Sequence, residues 1–211
     1  MRVLITGGSR GIGQAITKEF EKHGHVVYRP TREDIDLTKS VSLKFIEFDI
    51  IINNAGINPL KSVTDISDDD VMRVNYLAPL SIIQQCLPFM IKQNYGRIVN
   101  IGSIWIDTAK PNRLAYSASK SALHALTKAV TAEYAQHNIL ANTVSPGFIL
   151  TDLTRQNNTA QEIEVLREKI PAKRLGVPEE IAKLVYILTV DNGYIAGQNI
   201  IIDGGFSCTT Y

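Results

Sequence analysis

Short apolar runs alternate with longer amphipathic stretches along this chain, and the alternation predicts a parallel sheet covered by helices, an α/β fold. Residues 3–6, 26–28, 50–53, 97–101, 140–144 and 200–203 read as strands. Between them, 11–22, 38–47, 67–93, 114–136, 159–169 and 178–190 read as helices. Ser67 is placed to cap the long third helix, with Asp68, Asp69 and Asp70 at the positive end of its dipole. Pro178 followed by Glu179 and Glu180 is a second start signal, and Pro88 is a candidate kink inside 67–93. No repeat, linker or low-complexity segment interrupts the pattern, so residues 1–211 are expected to form one domain.

Composition narrows the function classes. The chain has 211 residues, 45% apolar and 20% charged, with a formal net charge of +1. That balance points to neither a nucleic-acid nor a membrane partner. No uninterrupted apolar run approaches the ~20 residues of a membrane span. The N-terminus enters a strand at once, which leaves no room for a signal peptide and makes a cytoplasmic protein the expectation. His23, His25, His124 and His137 are scattered, and no metal-ligand spacing appears. Cys86 and Cys208 are expected to be reduced, buried thiols.

Two segments carry chemistry. Thr6-Gly7-Gly8-Ser9-Arg10-Gly11-Ile12-Gly13 links the first strand to the first helix. Its glycines permit a tight turn, close approach of backbone to a phosphate and close helix–strand packing. The helix N-terminus then offers N–H donors to a pyrophosphate. In the run Tyr116-Ser117-Ala118-Ser119-Lys120, Tyr116 and Lys120 lie four residues apart and share a helix face. An ammonium beside a phenol favours the phenolate, so the pair can exchange a proton with an alcohol or carbonyl oxygen.

With Asn53-Asn54-Ala55-Gly56, Ser103 after Ile101-Gly102, Pro146-Gly147 and Ile202-Asp203-Gly204-Gly205, the chain resembles the short-chain dehydrogenase/reductase superfamily from end to end. The wording of residues 170–182 is most similar to the 3-oxoacyl-(acyl-carrier-protein) reductases, and it also occurs in sugar, polyol and steroid reductases. The resemblance implies a Rossmann-like doubly wound sheet and an NAD(P)-dependent enzyme interconverting a carbonyl and an alcohol. It implies catalytic roles for Tyr116 as acid/base and Lys120 as the residue that lowers its pKa and holds the nicotinamide ribose. Ser103 would polarise the substrate carbonyl, and Asn75 would hold a water that links Lys120 to solvent. Pro146, Gly147, Ile149 and Thr151 match the nicotinamide-binding turn. Asn54, Ala55 and Gly56 are expected on the adenosine side, with Gly7, Ser9, Arg10, Gly11, Ile12 and Gly13 at the phosphates. Trp105, Ile106 and the loop 107–113, lying between Ser103 and Tyr116, are candidate substrate contacts, as is Phe148, and 152–169 is either a mobile lid or a plain surface loop. A homodimer or homotetramer is implied, with the 67–93 and 114–136 helices pairing across a twofold. Leu80, Ile83, Leu87, Leu126 and Val130 would then serve that face or the core. The tail 208–211 is similar to family tails that reach toward a neighbouring subunit.

Thr31 and Arg32 stand where NAD-dependent relatives carry an acidic residue, which favours NADP(H) over NAD(H): a guanidinium clasps a 2′-phosphate. Arg10 is a second candidate clamp and Arg29 a possible helper, while Asp34 or Asp36 is placed to reach a ribose hydroxyl. Asp36-Leu37-Thr38 is similar to an adenine-binding motif of the family, but it begins only four residues after Arg32. A parallel crossover needs at least ~10–12 residues. One outer strand and its helix are therefore absent, and six strands are expected in the family order 2-1-4-5-6-7. The 38–47 helix would lead directly into the 50–53 strand, and 26–28 would become a sheet edge. Two alternatives stay open: the same fold acting with NAD(H) on a nucleotide sugar or polyol, and a non-catalytic dinucleotide sensor.

Overall fold

The computed structural model describes residues 1–65, 69–108, 110–151, 154–155 and 159–208. Six strands, β1 (Arg2–Thr6), β2 (Val26–Tyr28), β3 (Ile50–Asn53), β4 (Gly96–Ile101), β5 (Ile139–Pro146) and β6 (Asn199–Ile202), form one sheet in the order β2-β1-β3-β4-β5-β6. Every pairing is parallel. This is the six-stranded order expected from the short segment after Arg32.

Alternation along the strands splits the core into two layers. Val3, Ile5, Ile50, Ile52, Val99, Ile101 and Val144 face helix α1 (Gly11–Lys22) and the helix α5 (Pro178–Tyr186). Leu4, Ile51, Ile98, Ile139 and Ala141 face the other way, toward the long helix α2 (Asp69–Lys92) and helix α3 (Leu114–Tyr134). In α1, Ile12, Ala15, Ile16 and Phe20 recur at helical spacing and lie against the first layer. Each fully buried Ile or Phe of this kind contributes roughly 2 kcal/mol. Helix α4 (Ala160–Lys169) opens on a capping box between Thr159 and Glu162.

Helix α2 is as long and apolar as a membrane span, with a mean hydropathy of 1.2 over its best window. Scattered polar residues hide this from a search for uninterrupted runs. Ile82, Ile83, Cys86, Leu87 and Met90 bury that apolar character against the sheet. Ile83, Leu87, Leu126 and Val130 belong to the core, and Leu80 packs on it. Asp69 and Asp70 occupy the first turn of α2, while Ser67 and Asp68 lie outside the described residues. The helix runs through Pro88, and its irregular stretch is a π-helical turn at Arg73–Leu77.

Two expectations are corrected. Residues 38–47 form no helix. Val41, Leu43 and Phe45 follow a period of two rather than 3.6, and Thr38, Ser40 and Ser42 compete for backbone groups. Gln85 on α2 takes over the backbone: its Oε1 accepts from Leu43 N at 2.9 Å and its Nε2 donates to Val41 O at 3.1 Å. The irregular segment then does a helix's work. Leu37, Val41, Leu43 and buried Phe48 cover the second layer, and Phe48 stacks with Tyr28 on the edge strand β2. The second correction is Cys208, which is exposed; Cys86 alone is buried, and that burial pushes its thiol pKa up to about 12.

Candidate active site

The C-terminal ends of β1, β3, β4 and β5 converge on one edge of the sheet, as binding crevices of open α/β sheets do. At the end of β1 the glycine loop folds back on itself. Gly7 has φ +66°, and a Cβ on Gly13 would lie 2.1 Å from the Gly7 carbonyl oxygen. Asn54 Nδ2 donates to the carbonyls of Thr6 and Gly7, at 3.1 and 3.0 Å. Thr6 Oγ1 in return accepts from the backbone N–H groups of Asn54 and Ala55. The loop is therefore braced by the strand next to it. No acidic residue occupies the first turn of α1, which leaves its positive end free for an anion.

This loop forms the floor of a cleft of about 620 Å³. Gly7, Ser9, Arg10, Gly11, Ile12 and Gly13 line it together with Asn54, Ala55, Gly56 and Thr151. Thr31 and Arg32 line its far end, beside Pro30, Ile35, Asp36, Leu37, Thr38 and Val74. The shortened segment thus supplies the wall that a missing outer strand would have framed. Thr31 donates its N–H and its hydroxyl to Asp34, and Asp36 accepts both from Thr38, so each carboxyl is held below the usual carboxylate range by those bonds. Asp36 makes the bonds of a helix cap with no helix following. Arg32 is 81% exposed, with Asp36 at 3.8 Å. The size of the cleft, its braced glycine loop and its two arginines fit a dinucleotide.

The proton-handling residues meet beside the cleft. Ser103 follows β4 and is buried, and its Oγ accepts from Trp105 N at 3.3 Å. Tyr116 and Lys120 lie on α3. Lys120 Nζ sits 5.7 Å from the Tyr116 ring centroid and donates to Ile101 O at 2.6 Å. Burial lowers the Lys120 pKa to about 8. Burial also raises the Tyr116 pKa, opposed by the Ser103 hydrogen bond and the nearby Arg113 charge.

Asn75 lies in the π-helical turn of α2, fully buried. Its Oδ1 accepts from Ile57 N, and its Nδ2 donates to Ile57 O and to Ser119 Oγ, all at 2.9–3.0 Å. It clamps the loop after β3 to α3. A Cβ on Gly56 would come 3.3 Å from Asn75 Oδ1 and 3.5 Å from Lys120 Nζ, so Gly56 brings the cleft right up to both.

Pro146 ends β5, and Gly147 packs on Asp203 so closely that a Cβ would fall 2.5 Å from that side chain. Ile149 is buried, and its carbonyl accepts from Thr154 Oγ1 at 2.6 Å. Thr151 Oγ1 meets Thr154 Oγ1 at 3.1 Å. Of this turn, only Thr151 lines the cleft itself. Trp105, Phe148 and Phe206 form a chain of edge-on rings with centroids 6.2 and 5.1 Å apart. Asp152 and 156–158, part of the lid candidate, lie outside the described residues, as does the end of the tail, 209–211.

Sequence reasoning passed over one residue. Ser119 joins Asn75 to the Tyr116 carbonyl through its hydroxyl, which donates to that carbonyl at 2.7 Å. Arg113, in the loop expected to contact substrate, stands at the head of α3, three residues before Tyr116.

A parallel sheet with a cleft floored by a braced glycine loop and a Ser–Tyr–Lys group beside it defines a dinucleotide-dependent oxidoreductase. The family model described as "Enoyl-(Acyl carrier protein) reductase" matches residues 31–207. The chain is 37% identical to the 3-oxoacyl-(acyl-carrier-protein) reductase FabG of Buchnera aphidicola subsp. Schizaphis graminum, over 98% of this chain and 97% of that one. That alignment spans 237 positions, more than this chain has residues, so the relative carries residues that this chain lacks. Among solved structures, ElxO with NADP bound superposes with a TM-score of 0.89 at 28% identity, covering 99% of both chains. 4-Hydroxyisoleucine dehydrogenase complexed with NADH superposes with a TM-score of 0.87, also at 28% identity and 99% of both chains. The chain belongs to the short-chain dehydrogenase/reductase family. It is an NAD(P)-dependent oxidoreductase acting on CH–OH groups.

Proposed function

We propose that the chain interconverts a carbonyl and a secondary alcohol, using NADP(H) in preference to NAD(H), with Tyr116 as the acid/base. The observation that carries this reading is the grouping of buried Ser103, Tyr116 and the buried Lys120 amine beside Gly56, which lines a cleft of dinucleotide size.

When bound, the dinucleotide supplies or accepts the hydride. Charge builds on the carbonyl oxygen as the carbon is reduced, and Tyr116 Oη is the group that gives it a proton. The raised phenol pKa keeps Tyr116 protonated near neutrality, the form that reduction needs. Ser103 Oγ is the hydroxyl that would share the same oxygen and stabilise its charge. Lys120 holds a positive charge near the phenol below pH about 8. Asn75 keeps Gly56, Ile57 and α3 in register, so the Lys120 amine stays beside the cleft.

The NADP(H) preference rests on Arg32 and Arg10 at the cleft and on the want of an acidic residue at position 31. A cytoplasmic homo-oligomer remains the expectation drawn from the family. Fluorescence titration of NADPH and NADH, followed by a panel of carbonyls and alcohols, tests the reading. NADPH should bind the tighter, and Tyr116→Phe should cut turnover about 10²–10⁴-fold. Full turnover in Tyr116→Phe would sink the mechanism, and cofactor binding with no turnover on any carbonyl would favour a sensor.

A further inference from the structure

Arg113 is placed where a protein gains nothing by putting a cation. It caps the N-terminus of α3, the positive end of the helix dipole, and no acidic residue in the first turn offsets it. The residue is half-buried, and its Nε is sealed from solvent with no hydrogen-bond partner. Burial lowers its pKa, against a small upward pull from the Tyr116 phenol. Lys110, in the same loop, is a second positive charge, whose pKa is lowered by burial and then by the Arg113 charge. Lys110 Nζ lies 5.7 Å from the Trp105 ring, which meets Phe148 edge-on. Among the described residues, neither Lys110 nor Arg113 forms an ion pair. Asp107, the one carboxylate between Ser103 and Arg113, accepts instead from Asn199 Nδ2 at 3.2 Å.

A second arginine shows how this chain treats a buried guanidinium that serves structure. Arg97 donates to the carbonyls of Gly96, Asn138 and Asn192 and lies 4.4 Å from the Tyr95 ring. Its nitrogens are spent on the fold, whereas Arg113 is held at the same helix turn as the catalytic phenol with its buried Nε without a partner among the described residues. Such a group is stabilised by an anion arriving from outside.

We propose that Arg113, aided by Lys110, binds a carboxylate carried on the substrate, so that the molecule reduced or oxidised beside Tyr116 is an oxo or hydroxy acid. A planar guanidinium presents paired N–H donors to a planar carboxylate, and the Trp105–Phe148 wall packs the carbon skeleton between that group and the reacting carbon. This inference rests on the carbonyl–alcohol reading above and adds the class of its substrate.

The test has a binding arm and a turnover arm, both on the whole chain. Malonate is titrated by calorimetry into the protein saturated with NADP⁺, for the wild type, Arg113→Gln, Arg113→Lys and Tyr116→Phe. Malonate should bind the wild type and Tyr116→Phe, weaken at least about tenfold in Arg113→Gln and recover in part in Arg113→Lys. In the second arm NADPH oxidation is followed with 3-oxobutanoate and with its ethyl ester. Arg113→Gln should lower kcat/KM for the acid about 30-fold or more and change the ester less than about threefold. Equal malonate binding in the wild type and Arg113→Gln, or no binding to either, overturns the proposal. So does an equal loss on acid and ester, or binding of inorganic phosphate in place of malonate. Full turnover in Tyr116→Phe would instead strike the catalytic reading and leave the malonate result to stand by itself.

Discussion

Asn75, Ser119 and Lys120 are 0–3% exposed and sit on two packed helices, whereas Thr31, Arg32, Asp34 and Asp36 lie on an irregular loop where the Arg32 side chain is 81% exposed. Both groups line or border the same cleft. At the buried end each polar atom is tied to another element: Asn75 to the loop after β3 and to α3, Lys120 to the end of β4. At the exposed end the bonds are local, Thr31 to Asp34 and Thr38 to Asp36. Chemistry that moves a proton needs a desolvated group held to a fraction of an ångström. Recognition of a cofactor's far end tolerates a loop, because it needs only charge and a wall. That difference explains how a chain can lose an outer strand and helix and still keep its catalytic group unaltered.

Substitutions at the two ends should separate them. Lys120→Met should lower kcat by about 10³-fold while the protein still folds and binds cofactor, measured by steady-state kinetics beside fluorescence titration. The same variant has a pH signature. Burial depresses the Lys120 pKa from 10.5 to about 8, so between those values the unfolded chain binds more protons than the folded one. Wild-type stability should therefore rise across that window relative to Lys120→Met, by roughly 3 kcal/mol. Urea melts at pH 7 and pH 10 for both proteins measure it, and parallel curves would refute the buried-amine assignment.

Gly13→Ala attacks the cofactor end through the backbone. Its Cβ would lie 2.1 Å from the Gly7 carbonyl oxygen, which forces the glycine loop open. NADPH affinity should fall about 100-fold, near 2.7 kcal/mol, with the far-ultraviolet circular dichroism retained. Asn75→Ala removes three buried hydrogen bonds and leaves Ile57 with unpaired backbone groups. A loss of about 2 kcal/mol and a drop in Tm of roughly 4–8 °C should follow in a thermal melt. The smallest effect is expected at the exposed loop: Arg32→Ala should weaken NADPH about tenfold and leave NADH within about twofold. A comparable loss for both cofactors would mean that Arg32 serves the loop rather than the 2′-phosphate.

The amino-acid sequence was enough for the sheet. Periodicity placed all six strands within a residue or two, since a buried parallel strand is a run of apolar residues whatever surrounds it. The offset of four positions from Arg32 to Asp36 was enough to delete an outer strand, because no crossover closes in that length. The glycine loop and the Tyr116–Lys120 spacing were legible for the same reason: each is a local geometry written in neighbouring residues. What lay beyond the sequence depends on residues far apart in the chain. Residues 38–47 lost their expected helix to Gln85, some forty positions downstream, and the same segment became cover for the sheet through Val41 and Leu43. Arg97 and Arg113 look alike in the sequence. Only packing spends one on backbone carbonyls and leaves the other beside Tyr116 with its buried Nε unpartnered among the described residues, because whether a buried charge is satisfied depends on which distant groups the fold brings to it.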